Sequence, residues 1–259
     1  MPTEITTSTP APGVLLVTVA NPGKRNAVDL AGFRALAATW RAFEDGDARV
    51  AVVTGAGGDF SSGADLASVS DDVGGASGDD AMADIRLAVL RDARLSKPVI
   101  AAVEGVCYGA GFEMTGGCDL RVAGESARFA APEVRHGLIA SGGTIARLAR
   151  QIPYATAMQL LLTGQPLAAP RLLELGFLNE IVPDGSAVDR AVELARVVAA
   201  NSPVAVTTTK KVVSEGTRVT LAEAYALEAK AERDTVRGPD AVEGAKAFLE
   251  KRRPSWVLD

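Results

Sequence analysis

Apolar residues along this chain follow two different periods that take turns. Val14 to Val19 is a short β-branched run, opened by Pro12-Gly13 and closed by Asn21-Pro22-Gly23, and it reads as a strand ending in a turn. From Asp29 the apolar positions Leu30, Phe33, Ala37, Trp40 and Phe43 recur at steps of three and four, which is one buried helix face with Asp29 near its start. Val50 to Thr54 then supplies a buried strand. Ala81 to Leu95 is helical in pattern, and Pro98 to Val103, Leu120 to Ala123 and Leu178 to Val182 read as further strands. This alternation predicts an α/β domain. Between the apolar segments, Asp71 to Asp80 is rich in Gly, Ser and Asp with little to anchor it, so a mobile surface loop is expected there. Beyond Asn201 the strands stop. Thr220 to Arg237 and Pro239 to Arg253 read as Ala-, Glu- and Lys-rich amphipathic helices. The predicted organisation is an α/β core over residues 1–200 and a helical subdomain over 201–259, whose apolar stripes are completed by the core or by another subunit.

Composition narrows the class. Hydrophobic residues make up 47% and charged residues 23% of 259 positions, which is enough to bury a core and far from the composition of disorder. A net charge of −5 argues against nucleic-acid binding, which draws its affinity from clustered Lys and Arg. Local basic groups, Lys24 with Arg25 or Lys246 with Lys251, Arg252 and Arg253, are read as solvated surface charges that could still meet a phosphate. The residues from Met1 to Pro12 have neither a basic start nor an apolar run, so no signal peptide or membrane anchor is expected. Two cysteines, Cys107 and Cys118, and one histidine, His136, do not make a zinc site of the usual spacing. The expectation is a cytoplasmic protein with both thiols buried and no metal.

Familiar loops fail on spacing. Tyr108-Gly-Ala-Gly-Phe-Glu113 follows a predicted strand and opens a helix, but Met114 stands where a dinucleotide fingerprint needs its third glycine. Gly111 to Gly116 has a P-loop interval, yet Gly117 and Cys118 occupy the Lys and Ser/Thr positions. Neither Ser61 nor Ser62 has the flanks of a nucleophile elbow, and His136 lies in a polar stretch suited to a surface or interface residue.

Two small-residue turns remain, Phe60-Ser-Ser-Gly-Ala-Asp-Leu66 and Gly109-Ala110-Gly111, each placed after a strand. Where such a turn opens a helix, its first amides have no intrahelical acceptor and the macrodipole favours negative charge, the physical requirement for an oxyanion hole. The same turns also arise for steric reasons alone. Glu113 falls three residues after Ala110, where a carboxylate would also complement the dipole. Glu133 follows Ala130-Ala131-Pro132, so it stands at a rigid turn among small residues, a setting that stability alone does not readily explain, with a surface salt bridge as the alternative.

With these residues in place, the chain resembles the enoyl-CoA hydratase/isomerase, or crotonase, superfamily over nearly its whole length. Six ordered blocks carry the resemblance: Asn21-Pro-Gly-Lys-Arg-Asn-Ala-Val28, Phe60-Ser-Ser-Gly-Ala-Asp-Leu66, Lys97-Pro-Val-Ile-Ala-Ala-Val-Glu-Gly105, Tyr108-Gly-Ala-Gly-Phe-Glu113 with Cys118-Asp119, Phe129-Ala-Ala-Pro-Glu133, and Leu162-Thr-Gly164. The resemblance implies a spiral of ββα units with a C-terminal helical subdomain. It implies oxyanion amides on Ala64 and Ala110, and puts the two hydratase carboxylates on Glu113 and Glu133, which activate a water for Cβ and exchange a proton with Cα. It implies coenzyme A contacts along Arg25, Ala27, Ala64, Asp65 and Leu66, with coenzyme A arriving as part of the substrate and no separate cofactor. The implied reaction is hydration of a trans-2-enoyl-CoA. The alternatives are isomerisation or another enolate-stabilising reaction on an acyl-CoA and, among non-enzymes, an acyl-CoA-binding or RNA-binding relative. The implied assembly is a homotrimer or a hexamer of two trimers. Ala110 and Phe112 interrupt a run that is commonly glycine in this family, and Ser141-Gly142-Gly143-Thr144-Ile145 also departs from its usual wording.

Overall fold

The computed structural model describes residues 2–68 and 78–256. Strands β1 (Glu4–Ala11), β2 (Val14–Ala20), β3 (Val50–Gly55), β4 (Val99–Val103), β6 (Leu120–Gly124) and β9 (Glu180–Val182) form one sheet in the order β1-β2-β3-β4-β6-β9. Only the β1–β2 pair is antiparallel. A second sheet has the order β5-β7-β8, from β5 (Val106–Tyr108), β7 (Arg128–Ala130) and β8 (Leu167–Ala168). The chain steps from a strand of the large sheet to a strand of the small one, then into a helix, and repeats: β4, β5 and α3 (Ala110–Gly117), then β6, β7 and the turns leading to α4 (Thr144–Gln151) and α5 (Tyr154–Thr163). Before them, β3 is followed by a single bridge from Ser61 to Cys107 of β5 and by α2 (Gly78–Ala88). This is the spiral of ββα units that the sequence implied.

The large sheet is covered on both faces, which is why its strands read as continuous apolar runs. Val50, Val52, Ile100, Ala102 and Val122 pack against α7 (Ala187–Ala199), whose contact face is Ala187, Ala191, Ala195 and Ala199, small enough for close approach. The alternate positions Ala51, Val53, Val99, Ala101 and Val103 join the larger core with Phe33, Leu36 and Trp40 of α1 (Leu30–Asp45). Asp29 caps α1 by accepting the Gly32 N–H, as its position in the sequence suggested. Cys107 and Cys118 are free and buried.

Several boundaries differ from the sequence reading for local reasons. The second helix runs from Gly78 to Ala88 rather than from Ala81 to Leu95. Its stop comes where Leu90 adopts φ 60° and Arg91 N–H turns back to Arg86 O at 2.8 Å. Residues 78–80 of the expected loop are therefore helical, and the rest of that loop, 71–77, lies outside the described residues. The last strand begins at Glu180, because Leu178 still bonds back to Leu172 O at the end of α6 (Ala169–Glu174). The Thr- and Pro-rich N-terminus forms the edge strand β1, whose alternation is hidden because most of it is exposed; Pro10 is tolerated there since an edge leaves N–H groups unpaired.

After α7 come α8 (Pro203–Gly216), α9 (Leu221–Val236) and α10 (Pro239–Leu249). The final helix stops short of Arg253, where Lys251 takes φ 53° and Arg252 turns back onto Glu243. Lys210 of α8 reaches the core, donating to Lys97 O at 2.8 Å and to Asp119 Oδ2 at 2.7 Å. Thr220 caps α9 in a capping box with Glu223. Among the described residues no helix is long and apolar enough to cross a membrane.

Candidate active site

The two small-residue turns are neighbours. Ser61 lies along β5, with its N–H on Val106 O at 2.9 Å and Tyr108 N–H on its own O at 2.9 Å. The turns then leave this pairing side by side: a Cβ built on Gly63 would stand 3.2 Å from Tyr108 O and 3.5 Å from Ala110 N. A Cβ on Gly111 would press to 2.9 Å from that of Ser61, so glycine is required where the two segments touch. On the other side, the loop 21–28 runs along the first turn, with Ser62 N–H on Arg25 O at 2.9 Å, Val28 N–H on Gly63 O at 2.8 Å and Asp65 N–H on Val28 O at 2.8 Å. Those bonds straddle Ala64, using the Gly63 carbonyl and the Asp65 amide and leaving the Ala64 amide. Ala110 is the first residue of α3 behind Gly109, a cap with φ 52°. Among the described residues neither the Ala64 nor the Ala110 N–H has an acceptor in the molecule.

Glu113 and Glu133 converge on these turns from different units of the spiral. Glu113 sits in the first turn of α3 and is buried, its Oε1 accepting the Gly142 N–H at 2.6 Å. Burial first, and then the Glu133 charge, pushes its carboxyl up from 4.5 to about 7, against the opposing pull of the Gly142 N–H, Arg91 and Arg147. Glu133 lies in a single 3-10 turn, Pro132–His136, with proline at its start. Its Oε1 would be 3.5 Å from a Cβ on Gly109, which places it over the second turn. Its Oε2 is buried without a hydrogen-bond partner among the described residues, and burial raises its carboxyl as well. A buried acceptor without a partner is costly for stability and suits a group that meets a ligand.

The residues expected to meet coenzyme A share one ledge formed by 24–28 and 64–66. Arg25 is largely exposed, with Asp59 4.0 Å from its guanidinium. Asp65 pairs with Lys24 at 2.5 Å, and Leu66 is half exposed. Ala27 is buried, and its carbonyl already accepts Thr3 Oγ1 at 3.0 Å and Asn21 Nδ2 at 2.9 Å, so it shapes the ledge without a free oxygen to offer.

Phe112 packs beneath the site rather than in it. Its ring lies 5.4 Å from Phe177 and 6.0 Å from Phe129, and this aromatic triad anchors α3 so that the next residue, Glu113, faces the turns. His136 is exposed, as expected for a surface residue, close enough to lower the Glu133 carboxyl slightly. Sequence reasoning missed the Gly142 amide. The Gly142-Gly143 pair was its signal, because a side chain at 142 would fall inside the Glu113 carboxylate.

Comparison with known proteins identifies the family. Residues 10–258 match the family model for enoyl-CoA hydratase/isomerase. The chain is 40% identical over 245 residues to the enoyl-CoA hydratase EchA19 of Mycobacterium tuberculosis, covering 93% of this chain and 92% of that protein. It is 37% identical over 253 residues to the mevalonyl-coenzyme A hydratase sidH of Aspergillus fumigatus, covering 96% and 93%. The crystal structure of an enoyl-CoA hydratase from Mycobacterium tuberculosis H37Rv superposes with a TM-score of 0.89 at 36% identity, covering 98% of both chains. The spiral of ββα units and the match to these relatives define the crotonase class of proteins. Within it, the chain belongs to the enoyl-CoA hydratase/isomerase family.

Proposed function

We propose that this protein is an enoyl-CoA hydratase that adds water across the double bond of a trans-2-enoyl-CoA to give a 3-hydroxyacyl-CoA. The observation that carries the reading is the meeting of two amides without an acceptor among the described residues, on Ala64 and Ala110, with two carboxyl groups of raised pKa, Glu113 buried and Glu133 partly buried. The amides hold the thioester oxygen. As water attacks Cβ, the π electrons move toward that oxygen as an enolate, and preorganised donors there stabilise the charge that develops. The two glutamates supply the rest, the Glu113 carboxyl being pushed up to about 7 and that of Glu133 raised by burial. The ionised member takes the water proton as the Cβ–O bond forms, and the protonated member delivers its proton to Cα. Atoms and charge balance, and the pair ends the turnover again holding one proton.

Coenzyme A enters as part of the substrate, along Arg25, Ala27, Ala64, Asp65 and Leu66, and no separate cofactor is called for. Three copies assemble, or six as two trimers, because apolar side chains of the C-terminal helices are left without cover: Phe248 is 83% and Leu249 79% exposed. Two buried free thiols support a reducing, cytoplasmic setting.

The test is direct. A short trans-2-enoyl-CoA should lose its conjugated absorbance on incubation, with the 3-hydroxyacyl product found by mass; gain of that absorbance from a 3-enoyl-CoA would instead mark an isomerase. Ala110→Pro removes the amide at the first helical position, where proline is tolerated, and should lower kcat by about 10²–10³ in a protein that keeps its fold. Normal turnover in that variant would end the oxyanion assignment.

A further inference from the structure

The loop that borders the first turn holds an unusual backbone. Arg25 and Asn26 are consecutive non-glycine residues in the left-handed region, at φ 50° and 57°. Asparagine visits this region more readily than most residues and arginine does not, so the surroundings must hold the pair there. The holding is done by Asn26, which is wholly buried. Its Oδ1 accepts the Asn21 N–H at 2.9 Å, while its Nδ2 donates to Ala56 O and Asp59 O, both at 2.7 Å. The amide's orientation follows from its partners, since two carbonyl oxygens require the NH2 end and a main-chain N–H requires the oxygen.

From Asn26 a chain of bonds leads to the oxyanion turn. Its main-chain oxygen accepts the Ser61 hydroxyl at 2.7 Å, and Ser61 Oγ in turn accepts the Gly63 N–H at 3.1 Å. Gly63 immediately precedes Ala64. With Ser62 bonded to Arg25 and both Gly63 and Asp65 bonded to Val28, the direction of the Ala64 N–H is set by residues 25–28. Asn26 contacts neither glutamate by any of these bonds.

We infer that Asn26 is a positioning residue for the oxyanion donor: its buried side chain fixes the left-handed loop, and through Ser61 the loop aims the Ala64 amide at the thioester oxygen. This rests on the reading of Ala64 as an oxyanion donor. The alternative role for a buried amide with three partners is stability alone, and the two roles separate on a readout of carbonyl polarisation.

Asn26→Gly keeps left-handed freedom while deleting all three side-chain bonds, and Ser61→Ala deletes the bridge to Gly63. Each variant is compared with wild type in kcat, KM, thermal stability and the infrared carbonyl band of a bound acyl-CoA labelled with ¹³C at the thioester carbon. Ser202→Ala serves as control, because it loses a buried bond to Asp240, at 2.5 Å, in the C-terminal helices. Wild type should shift the band to lower frequency relative to free thioester. Both site variants should lose much of that shift and about ten- to a hundredfold in kcat, with KM little changed, as expected for a misaimed donor. The double variant should lose little more than the worse single one, since both break the same chain. Ser202→Ala should lose stability with band and kcat intact. If wild type shows no band shift, the oxyanion reading fails. If wild type shifts and either folded site variant retains both the shift and kcat within twofold, the role of Asn26 is overturned; should Asn26→Gly not fold, Ser61→Ala decides by the same two measurements.

Discussion

A carboxyl group buried beside a second carboxyl is hard to ionise, and Glu113 is such a group. Its value near 7 against 4.5 means that, between those pH values, the folded protein holds a proton that the unfolded chain has released. The native state therefore binds more protons in that window, so the associated stability is fully present below 4.5 and is lost as pH rises through about 7. Glu113→Gln removes the titration. Denaturant unfolding at pH 5 and pH 8 should show wild type losing on the order of 3 kcal/mol more than the variant across the window. Parallel stability profiles would mean that Glu113 is not held protonated. In the proposed mechanism Glu113 and Glu133 carry the proton transfers. Glu133→Gln or Glu113→Gln should each lower kcat by about 10²–10⁴, as for general acid–base groups. The double variant should be far from additive, since one water and one proton path need both. A Glu113 that only complemented the α3 dipole would cost about 0.3–1 kcal/mol of stability and leave kcat alone.

At the scale of elements, the site is a meeting of turns from successive units of the spiral, each contributing one part. The loop before α4 contributes Gly142, whose amide fixes Glu113 Oε1 and whose missing side chain gives that carboxylate its space. Gly142→Ala should displace Glu113 while leaving the fold and the ledge of residues 24–28 and 64–66 intact. The expected result is a fall in kcat approaching that of Glu113→Gln with substrate binding retained; wild-type kcat would show that the Gly142 contact does not position the carboxylate. Such pairings explain what the sequence could reveal. The continuous apolar runs of β2, β3 and β4 were legible because the large sheet is covered on both faces, and the three-and-four spacing of α1 because that helix buries one face. The two turns and both glutamates were legible because glycine, alanine and proline at fixed offsets report backbone geometry. Asn26 and Ser61 were not, since their meaning lies in partners 30 and 35 residues away along the chain, and the Gly142-Gly143 pair signals a close approach without naming Glu113, 29 residues away. Likewise β1 escaped because an exposed edge strand has no apolar alternation to show, and the end of α2 because the left-handed Leu90 leaves no mark in composition.

At the scale of the whole molecule, the apolar surface is unevenly used. The two cores enclose both faces of the large sheet, whereas Leu221 and Tyr225 on α9 and Val242, Phe248 and Leu249 on α10 are all more than 60% exposed. Within the chain α9 packs on α8, α10 is tied by the Ser202–Asp240 bond, and the segment after α10 by Trp256 Nε1 on Ala200 O at 2.7 Å. Nothing in those contacts covers the rings. Single exposed apolar residues are ordinary, but a pair of adjacent large ones at the end of a terminal helix is a recurring mark of association. A closed cyclic assembly would bury the same patch on every copy, which is the economical way for one sequence to hide it. Sedimentation velocity at micromolar concentration should therefore find about three or six times the 26.7 kDa chain mass. Phe248→Glu with Leu249→Glu places charge on that patch without touching a core side chain, so the variant should sediment as a monomer while keeping the far-ultraviolet circular dichroism of the wild type. A wild-type monomer would leave the patch without the partner argued for it. A variant still three- or sixfold would move the interface elsewhere on the molecule, and its melting temperature then tells whether the rings matter at all. Loss of melting temperature on dilution of the wild type, absent in the variant, is the linkage signature that ties the assembly to those two side chains.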